Sequence, residues 1–208
     1  MDRREAHKFL VALKGMGIDS YAFEKTPRLS LSSIQRQARD CTKCSLAGTR
    51  KHVVFGEGDA NARLLFIGEA PGEEEDIQGR PFVGRAGKLL DQLIERTGLR
   101  RKEVYICNLL KCRPPQNRDP EPSEIALCKE YLFSQLEIVN PRVICTLGRH
   151  AYNALFGTDE RITRIRGALT KYRGALLLPT YHPSFLLRNN EKIKEAWEDM
   201  ERLRQLLH

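Results

Sequence analysis

Four short apolar runs recur along the chain, each separated from the next by a longer stretch of mixed polarity. The runs are rich in Val, Ile and Leu, which is typical of strands covered on both faces of a sheet. They occupy residues 62–70, 104–110, 142–148 and 175–181. This pattern predicts four buried strands.

The stretches between and after these runs carry apolar residues at spacings of three and four, which predicts helices. The predicted helices cover residues 85–97, 122–139 and 191–207, the first stopped by Gly98 and the second opened by Pro122. Strands alternating with helices predict an α/β fold. We therefore expect a three-layer α/β/α domain with a central, mainly parallel four-stranded sheet.

The first part of the chain has a different pattern. Residues 1–34 predict an N-terminal extension with a short helix, a glycine-rich break and a polar linker through Pro27, and residues 35–208 then form the α/β domain. The start is charged and lacks the apolar core of a signal peptide. No apolar run is long enough to span a bilayer. A cytoplasmic location without a membrane partner is the resulting expectation.

Composition and charge narrow the class of partner. Hydrophobic residues make up 41% of the chain and charged residues 30%, which is ordinary for a globular protein. The formal net charge is +8 and the pI is about 9.3. A basic balance of this size favours a polyanion such as nucleic acid.

Ligands of parallel sheets gather where the strands end. That rule groups residues 68–84, 108–113, 148–150 and 181–188 at one edge. The first of these segments lies in the stretch GEAPGEEEDIQGRPFVGRAG, residues 68–87. This stretch lacks the Lys-Ser/Thr pair of a phosphate-binding loop, and its acids would repel a triphosphate. Carboxylates adjacent in sequence seldom converge on one metal ion, so most of residues 73–76 are expected to be solvated.

Four of the six cysteines are candidate metal ligands. They are Cys41 and Cys44, which form a C-x-x-C pair, and Cys112 and Cys128. Four thiolates suit either one tetrahedral zinc ion or a [4Fe–4S] cluster, and their spacing does not choose between them. Cys128 shares the apolar face of its helix, so a core role is the alternative for it. Cys107 and Cys145 lie in predicted strands, where cysteine packs as a small hydrophobe.

Several longer motifs point to one family. GEAPG, GRPFVGRAGKLL, VYICNLLKCRPPQNR and PTYHPSFLLR, with the four cysteines so placed, resemble the family 4 uracil-DNA glycosylases, the iron–sulfur branch of that superfamily. The resemblance covers roughly residues 35–207. It implies a monofunctional DNA N-glycosylase that releases uracil from single- or double-stranded DNA and initiates base excision repair. It also implies a monomer with a structural [4Fe–4S] cluster on the four cysteines, zinc being the alternative.

The resemblance assigns roles to five residues of the predicted pocket. Phe82 would stack on uracil, and the amide of Asn108 would read the N3–H and O4 of the base. His182 would donate to O2 as negative charge builds there, and Glu69 would position water or stabilise the sugar cation. Glu75 would lie near C5 and exclude the methyl group of thymine.

Three further residues complete the predicted substrate-binding set: Gly68, Ala70 and Ser184. Ala70 stands where the better-known branch of the superfamily has an aspartate. The sequence therefore does not identify the group that activates the water. The segment CRPPQNRDP lacks the histidine of the branch that forms a trapped adduct. We therefore expect turnover.

The same resemblance implies a DNA-binding set around the pocket. Two residues would allow main-chain amides to approach phosphate, three arginines would supply charge, and two leucines would wedge into the gap left by the flipped base. In that order they are Pro71 and Gly72; Arg113, Arg118 and Arg188; and Leu186 and Leu187. For the leucines, packing beneath the last helix is the alternative.

Two functions of other classes compete with a glycosylase. One is a DNA-binding module without activity, cross-linked by zinc, which would purify as a colourless protein. The other is a hydrolase of free nucleosides, which the basic charge disfavours.

Overall fold

The computed structural model describes residues 30–207. Its first helix, α1 (Leu31–Arg39), begins where the Ser30 hydroxyl accepts a hydrogen bond from the Ser33 N–H, and it packs Ile34 and Ala38 into a small apolar cluster. The predicted domain boundary after residue 34 falls within α1, and the division there stays a prediction. The helix and linker predicted before it lie outside the described residues.

A six-stranded mixed sheet forms the middle of the described part, in the order β1-β3-β2-β4-β6-β5. The strands are β1 (Glu57–Gly58), β2 (Leu64–Gly68), β3 (Tyr105–Asn108), β4 (Val143–Leu147), β5 (Thr170–Tyr172) and β6 (Ala175–Thr180). The central four, β3, β2, β4 and β6, are parallel, as predicted. The short edge strands β1 and β5 are antiparallel and were not predicted.

Helices follow the strands on both faces. They are α2 (Glu73–Gln78), α3 (Arg85–Arg96), α4 (Pro122–Val139), α5 (Arg149–Phe156), α6 (Ile162–Ile165), α7 (Pro183–Leu186) and α8 (Ile193–Leu207). Single 3-10 turns lie at Ser45–Gly48, Arg101–Glu103, Pro115–Asn117 and Asn190–Lys192. The three predicted helices correspond to α3, α4 and α8. None of the helices between residues 30 and 207 is long and apolar enough to cross a membrane.

Two apolar cores sandwich the sheet, because successive strand residues point to opposite faces. Leu64 and Phe66 of β2 pack with α3 and α8 on one face. Leu65 and Ile67 of the same strand pack with α4 and α5 on the other. The predicted three-layer α/β/α architecture is therefore confirmed.

The order of the strands creates a crevice. From β2 the chain passes to β3 on one side, and from β4 it passes on to β6 on the other. Connections that diverge in this way leave a gap at the carboxyl ends of the two strands, where ligands of such sheets bind. The loops that follow β2 and β4 lie at this gap.

Candidate active site

A cavity of about 530 Å³ opens at this crevice. Its lining comes from the segments that follow all four parallel strands, and most of the predicted pocket residues belong to it. Those that line it are Glu69, Ala70, Pro71, Gly72, Glu75, Phe82, Asn108, Arg118, His182, Ser184 and Arg188. The structure thus brings together residues that lie more than a hundred positions apart in the chain.

Asn108 ends β3 and carries an unpaired polar atom. Its side chain is buried, and its Oδ1 has no hydrogen-bond partner within residues 30–207. Gly68 lies opposite it in β2. A buried acceptor left without a donor costs about 1–3 kcal/mol. The position therefore suits a ligand that supplies the missing donor.

Gly68 is required by close approach. A Cβ atom there would lie 2.2 Å from Asn108 Oδ1 and 2.5 Å from Phe82 Cζ. Glycine thus permits the amide and the ring to converge over the end of β2. The predicted role of Gly68 in substrate binding stays a prediction.

Phe82 has an unusual backbone. Its φ is 51°, in the left-handed region that non-glycine residues seldom adopt, at a cost of about 1–3 kcal/mol. The Glu75 carboxylate holds this turn by accepting hydrogen bonds from the N–H groups of Val83 (2.8 Å), Gly84 (2.9 Å) and Gly72 (3.1 Å). Glu75 therefore organises the loop, and its predicted contact with C5 of the base stays a prediction.

The acidic run is the start of helix α2, where carboxylates interact favourably with the helix dipole. Glu73 and Glu74 are exposed, as expected for solvated acids. Asp76 is instead buried and accepts hydrogen bonds from the N–H groups of Lys51 (2.9 Å) and His52 (3.3 Å). It anchors α2 to the segment after the first 3-10 turn.

His182 caps α7 and faces Phe82, with 5.7 Å between the ring centroids. Its Nδ1 accepts a 3.1 Å hydrogen bond from the Ser184 N–H, which places the proton of the neutral ring on Nε2. Nε2 is shielded from solvent and has no partner in the described part of the chain. Burial, with the charges of Arg188 and His150, lowers the pKa of His182 to about 4. His182 is therefore a neutral donor at neutral pH.

Glu69 follows β2 directly and is fixed by its main chain, whose carbonyl oxygen accepts a 2.9 Å hydrogen bond from Leu110 N–H. Its side chain is 27% exposed and points to the cavity edge, where His150 Nε2 lies 3.8 Å from its Oε2. Burial raises the pKa of Glu69, and the nearby His150 opposes that shift. The site therefore holds a carboxyl group whose charge depends on its neighbours.

The four candidate cysteines line a second cavity. They are Cys41, Cys44, Cys112 and Cys128, contributed by the segment after α1, the exit of β3 and helix α4. Burial raises the pKa of the Cys112 thiol, and that of Cys128 to about 11. Arg50 Nη1 donates to Cys112 Sγ at 3.4 Å, and the Lys111 N–H donates to Cys128 Sγ at 3.3 Å. These donors favour the thiolate forms that a metal requires.

Comparisons with known proteins agree with this arrangement. The family profile described as Uracil DNA glycosylase superfamily matches residues 55–201. The chain belongs to the uracil-DNA glycosylase superfamily. It is 47% identical to the Type-4 uracil-DNA glycosylase of Thermotoga maritima, over 84% of this chain and 93% of that protein. Identity to the Type-4 uracil-DNA glycosylase of Saccharolobus solfataricus is 46%, over 86% and 87%. The predicted family 4 resemblance is confirmed.

The arginines predicted to bind DNA in this superfamily member are placed unequally. Arg188 lines the cavity and has no salt-bridge partner among residues 30–207. Arg118 donates two hydrogen bonds to the buried Glu124 carboxylate, at 3.0 and 2.6 Å. Arg113 lies outside the cavity lining and donates to Asn117 Oδ1 at 2.8 Å. Arg188 is therefore the arginine best placed for a phosphate contact.

The structure corrects the wedge assignment of Leu186. This side chain is fully buried in the apolar core to which α3 and α8 also contribute, so it does not reach the surface. The alternative, packing beneath the last helix, describes it. Leu187 is partly buried at the edge of the same core and stays the candidate wedge.

Three residues of the site escaped the sequence analysis. His150 and Asp119 lie at the cavity edge beside Glu69, and Lys111 is buried between the two cavities. The one sequence signal for His150 is the position of the GRH segment at the end of a predicted strand, which puts it at the correct edge of the sheet. Lys111 looked like part of a basic strand exit, because its burial depends on residues distant in sequence.

Proposed function

We propose that this chain is a uracil-DNA glycosylase, which hydrolyses the N-glycosidic bond of deoxyuridine in DNA and leaves an abasic site. The step initiates base excision repair. One observation carries the proposal. Two buried atoms without hydrogen-bond partners in the described residues, the acceptor Asn108 Oδ1 and the donor His182 Nε2, belong to side chains that line one cavity.

Uracil supplies the complement of both atoms. The base must leave the stack to enter such a cavity. Its N3–H would donate to Asn108 Oδ1, and its O2 would accept from His182 Nε2–H, while Phe82 covers the ring. Cytosine has an acceptor at N3 and an amino group at C4, so the same amide would face two mismatches. The pocket therefore favours uracil over cytosine.

His182 would act on the leaving group. As the bond to the sugar breaks, uracil departs as an anion with charge shared onto O2. A neutral N–H donor that is already oriented stabilises this charge more than it stabilises the uncharged base. The backbone N–H of Ser184 fixes the required tautomer. No proton needs to be transferred for this stabilisation.

Glu69 would act on the sugar side. The transition state resembles an oxocarbenium ion, which a nearby carboxylate stabilises and which water then attacks. Glu69 lies at the edge of the same cavity as Asn108 and His182. Its ionised form is the active one in both roles, because a neutral carboxylic acid neither stabilises a cation nor accepts a proton from water.

The four cysteines would hold a [4Fe–4S] cluster. Within residues 30–207, no three of their sulfur atoms lie within 4.8 Å of one another. One tetrahedral zinc ion, with Zn–S of about 2.3 Å, would place its sulfur ligands roughly 3.8 Å apart. The wider spacing supports a cluster of several irons. When bound, the cluster would supply a structural cross-link between the segment at 41–44, the β3 exit and α4.

The substrate would be DNA in single- or double-stranded form, bound by a monomer. Arg188 would contact phosphate at the cavity mouth, while Pro71 and Gly72 line the cavity where main-chain amides would approach the strand. Phosphate contacts of this kind make binding weaken as salt rises.

The experiment is cleavage of a labelled oligonucleotide with one uracil, followed by alkali, beside oligonucleotides with thymine or cytosine at that position. We expect a cut at uracil alone. Asn108→Ala and His182→Ala should each slow release by roughly 10²–10³-fold. Asn61→Ala, an exposed asparagine, is the matched control and should retain full activity.

Three outcomes would contradict the proposal. No cut by folded, metal-replete protein would exclude uracil as the base. Cleavage of free deoxyuridine in preference to DNA would instead identify a nucleoside hydrolase. Binding of DNA by a colourless, zinc-containing protein that cuts nothing would identify a binding module.

A further inference from the structure

Three side chains from different segments of the chain meet at the edge of the candidate active site. His150 Nε2 lies 3.8 Å from Glu69 Oε2 and 3.3 Å from Asp119 Oδ2. The ligand-type atoms of all three lie within 4.8 Å of one another. Glu69 follows β2, Asp119 precedes α4 and His150 is the second residue of α5. They therefore converge from three segments of the fold.

The surroundings of His150 fix it at this point. Its side chain is only 18% exposed. Helix α5 starts directly after Gly148, whose φ of 86° favours glycine and turns the chain out of β4. On the far side, Arg149 Nη2 donates to Asp119 Oδ2 at 3.2 Å and holds that exposed carboxylate in place. His150 is thus held between two carboxylates.

Few polar or charged side chains face the Glu69 carboxylate. Its main-chain carbonyl accepts a hydrogen bond from Leu110, just after β3, but its side-chain oxygens make no hydrogen bond within the described residues. The charged groups that face it are His150, Asp119 and Arg149. His150 Nε2 lies 3.8 Å from its carboxylate. His150, and after it Arg149, oppose the effect of burial on the pKa of Glu69.

We propose that His150 is a positioning residue for Glu69, holding its carboxylate at the cavity edge and in the ionised form. The inference rests on the proposed function, because it concerns the carboxylate that would act on the sugar. His150 acts through Glu69 and needs no contact with the base. His150 Nε2 lies between the two carboxylates, 3.8 Å from Glu69 Oε2 and 3.3 Å from Asp119 Oδ2, and a positively polarised ring at that point favours the negative charge of Glu69.

The test is single-turnover uracil release by His150→Leu across about pH 5 to about pH 9. The variant removes the polar ring and leaves α5 intact. We expect a rate roughly tenfold lower at neutral pH, with the acid limb of the profile moved to higher pH, because Arg149 alone then opposes the effect of burial on the pKa of Glu69. The dissociation constant for uracil-containing DNA should change less than about twofold. His150→Gln, which keeps an N–H at similar reach, should recover part of the rate.

A double-mutant cycle with Glu69→Gln separates this role from a merely structural one. Glutamine cannot ionise, so adding His150→Leu to it should change neither the rate nor the pH profile. An equal loss in both backgrounds would overturn the inference. Weaker DNA binding with an unchanged rate would also overturn it, since His150 would then be a phosphate contact.

The two proposals fail differently. If the unaltered protein releases no uracil from DNA, the proposed function fails and the inference fails with it. If the unaltered protein releases uracil and His150→Leu keeps its pH profile, the inference alone fails.

Discussion

Lys111 Nζ donates a 2.7 Å hydrogen bond to the backbone carbonyl oxygen of Asn108. Lys111 also lines the cysteine cavity, and its backbone N–H donates to Cys128 Sγ. One buried lysine therefore connects the predicted cluster site to the residue that would read the base. Gln135 completes this connection, because its Oε1 accepts from the same Nζ at 2.5 Å.

Lys111→Met should weaken both the fold and the pocket. The change leaves the Asn108 carbonyl and Gln135 Oε1 without their donor, at a cost of about 1–3 kcal/mol in the free energy of unfolding. Loss of this anchor should also slow uracil release by roughly tenfold, since small displacements of a binding group are costly. Thermal unfolding and single-turnover cleavage measure the two effects. Lys171→Met, at an exposed position of β5, is the control, and an equal loss there would contradict the argument.

Gly68→Ala should abolish most activity while sparing the fold. The new Cβ would lie 2.2 Å from Asn108 Oδ1 and 2.5 Å from Phe82 Cζ, so the amide or the ring must move. We expect uracil release to fall by about 10²-fold or more. Gly48→Ala is the matched control, because no atom lies within 4 Å of its added Cβ. Retained activity in Gly68→Ala would show that the pocket adapts.

The parts of the fold that the sequence predicted are those with strong local patterns. The four parallel strands are continuous apolar runs, and α3, α4 and α8 carry regular apolar spacing. The edge strands Glu57–Gly58 and Thr170–Tyr172 escaped because they are very short and largely polar, and their pairing depends on neighbours that are distant in sequence.

The residues of the candidate site also divide into those that a local sequence pattern identifies and those that it does not. Phe82, Asn108 and His182 lie in motifs long enough to identify. The roles of Lys111 and His150 depend on burial and on partners from other segments, which no local pattern contains. Leu186 shows the converse, because neighbouring leucines in a loop do not reveal which of them enters the core.

Activity should stay constant as pH rises through 6.5, because His182 would act as a neutral donor. Its pKa is lowered to about 4, so the ring is already uncharged throughout the neutral range. A histidinium acid with an ordinary pKa of about 6.5 would instead lose activity about tenfold per pH unit above that value. Single-turnover rates from about pH 6.5 to about pH 8.5 distinguish the two. A steady tenfold decline would contradict the neutral form.

Stability has a related pH dependence. Because the pKa of His182 is lower in the folded state than in the unfolded chain, the unfolded chain binds the proton first as pH falls below about 6.5. Folding should therefore weaken between about pH 6.5 and about pH 4, by an amount on the order of 3 kcal/mol at the low end. Glutamine takes up no proton in this range, so His182→Gln should lose less stability than the unaltered protein. Equal losses in the two proteins would show that a group other than His182 causes the loss of stability.

Cysteine substitutions should separate cluster ligands from core cysteines. Cys112→Ser or Cys128→Ala removes one of the four sulfurs that line the second cavity, so the protein should lose its visible absorbance and bound iron and become less stable. Cys145→Ala is the control, since this cysteine is buried in β4 away from that cavity and should leave the iron content unchanged. Iron, sulfide and zinc analysis of purified protein makes the measurement. Iron retained in Cys128→Ala would show that Cys128 packs in the core and is not a ligand. Zinc in place of iron would overturn the cluster assignment.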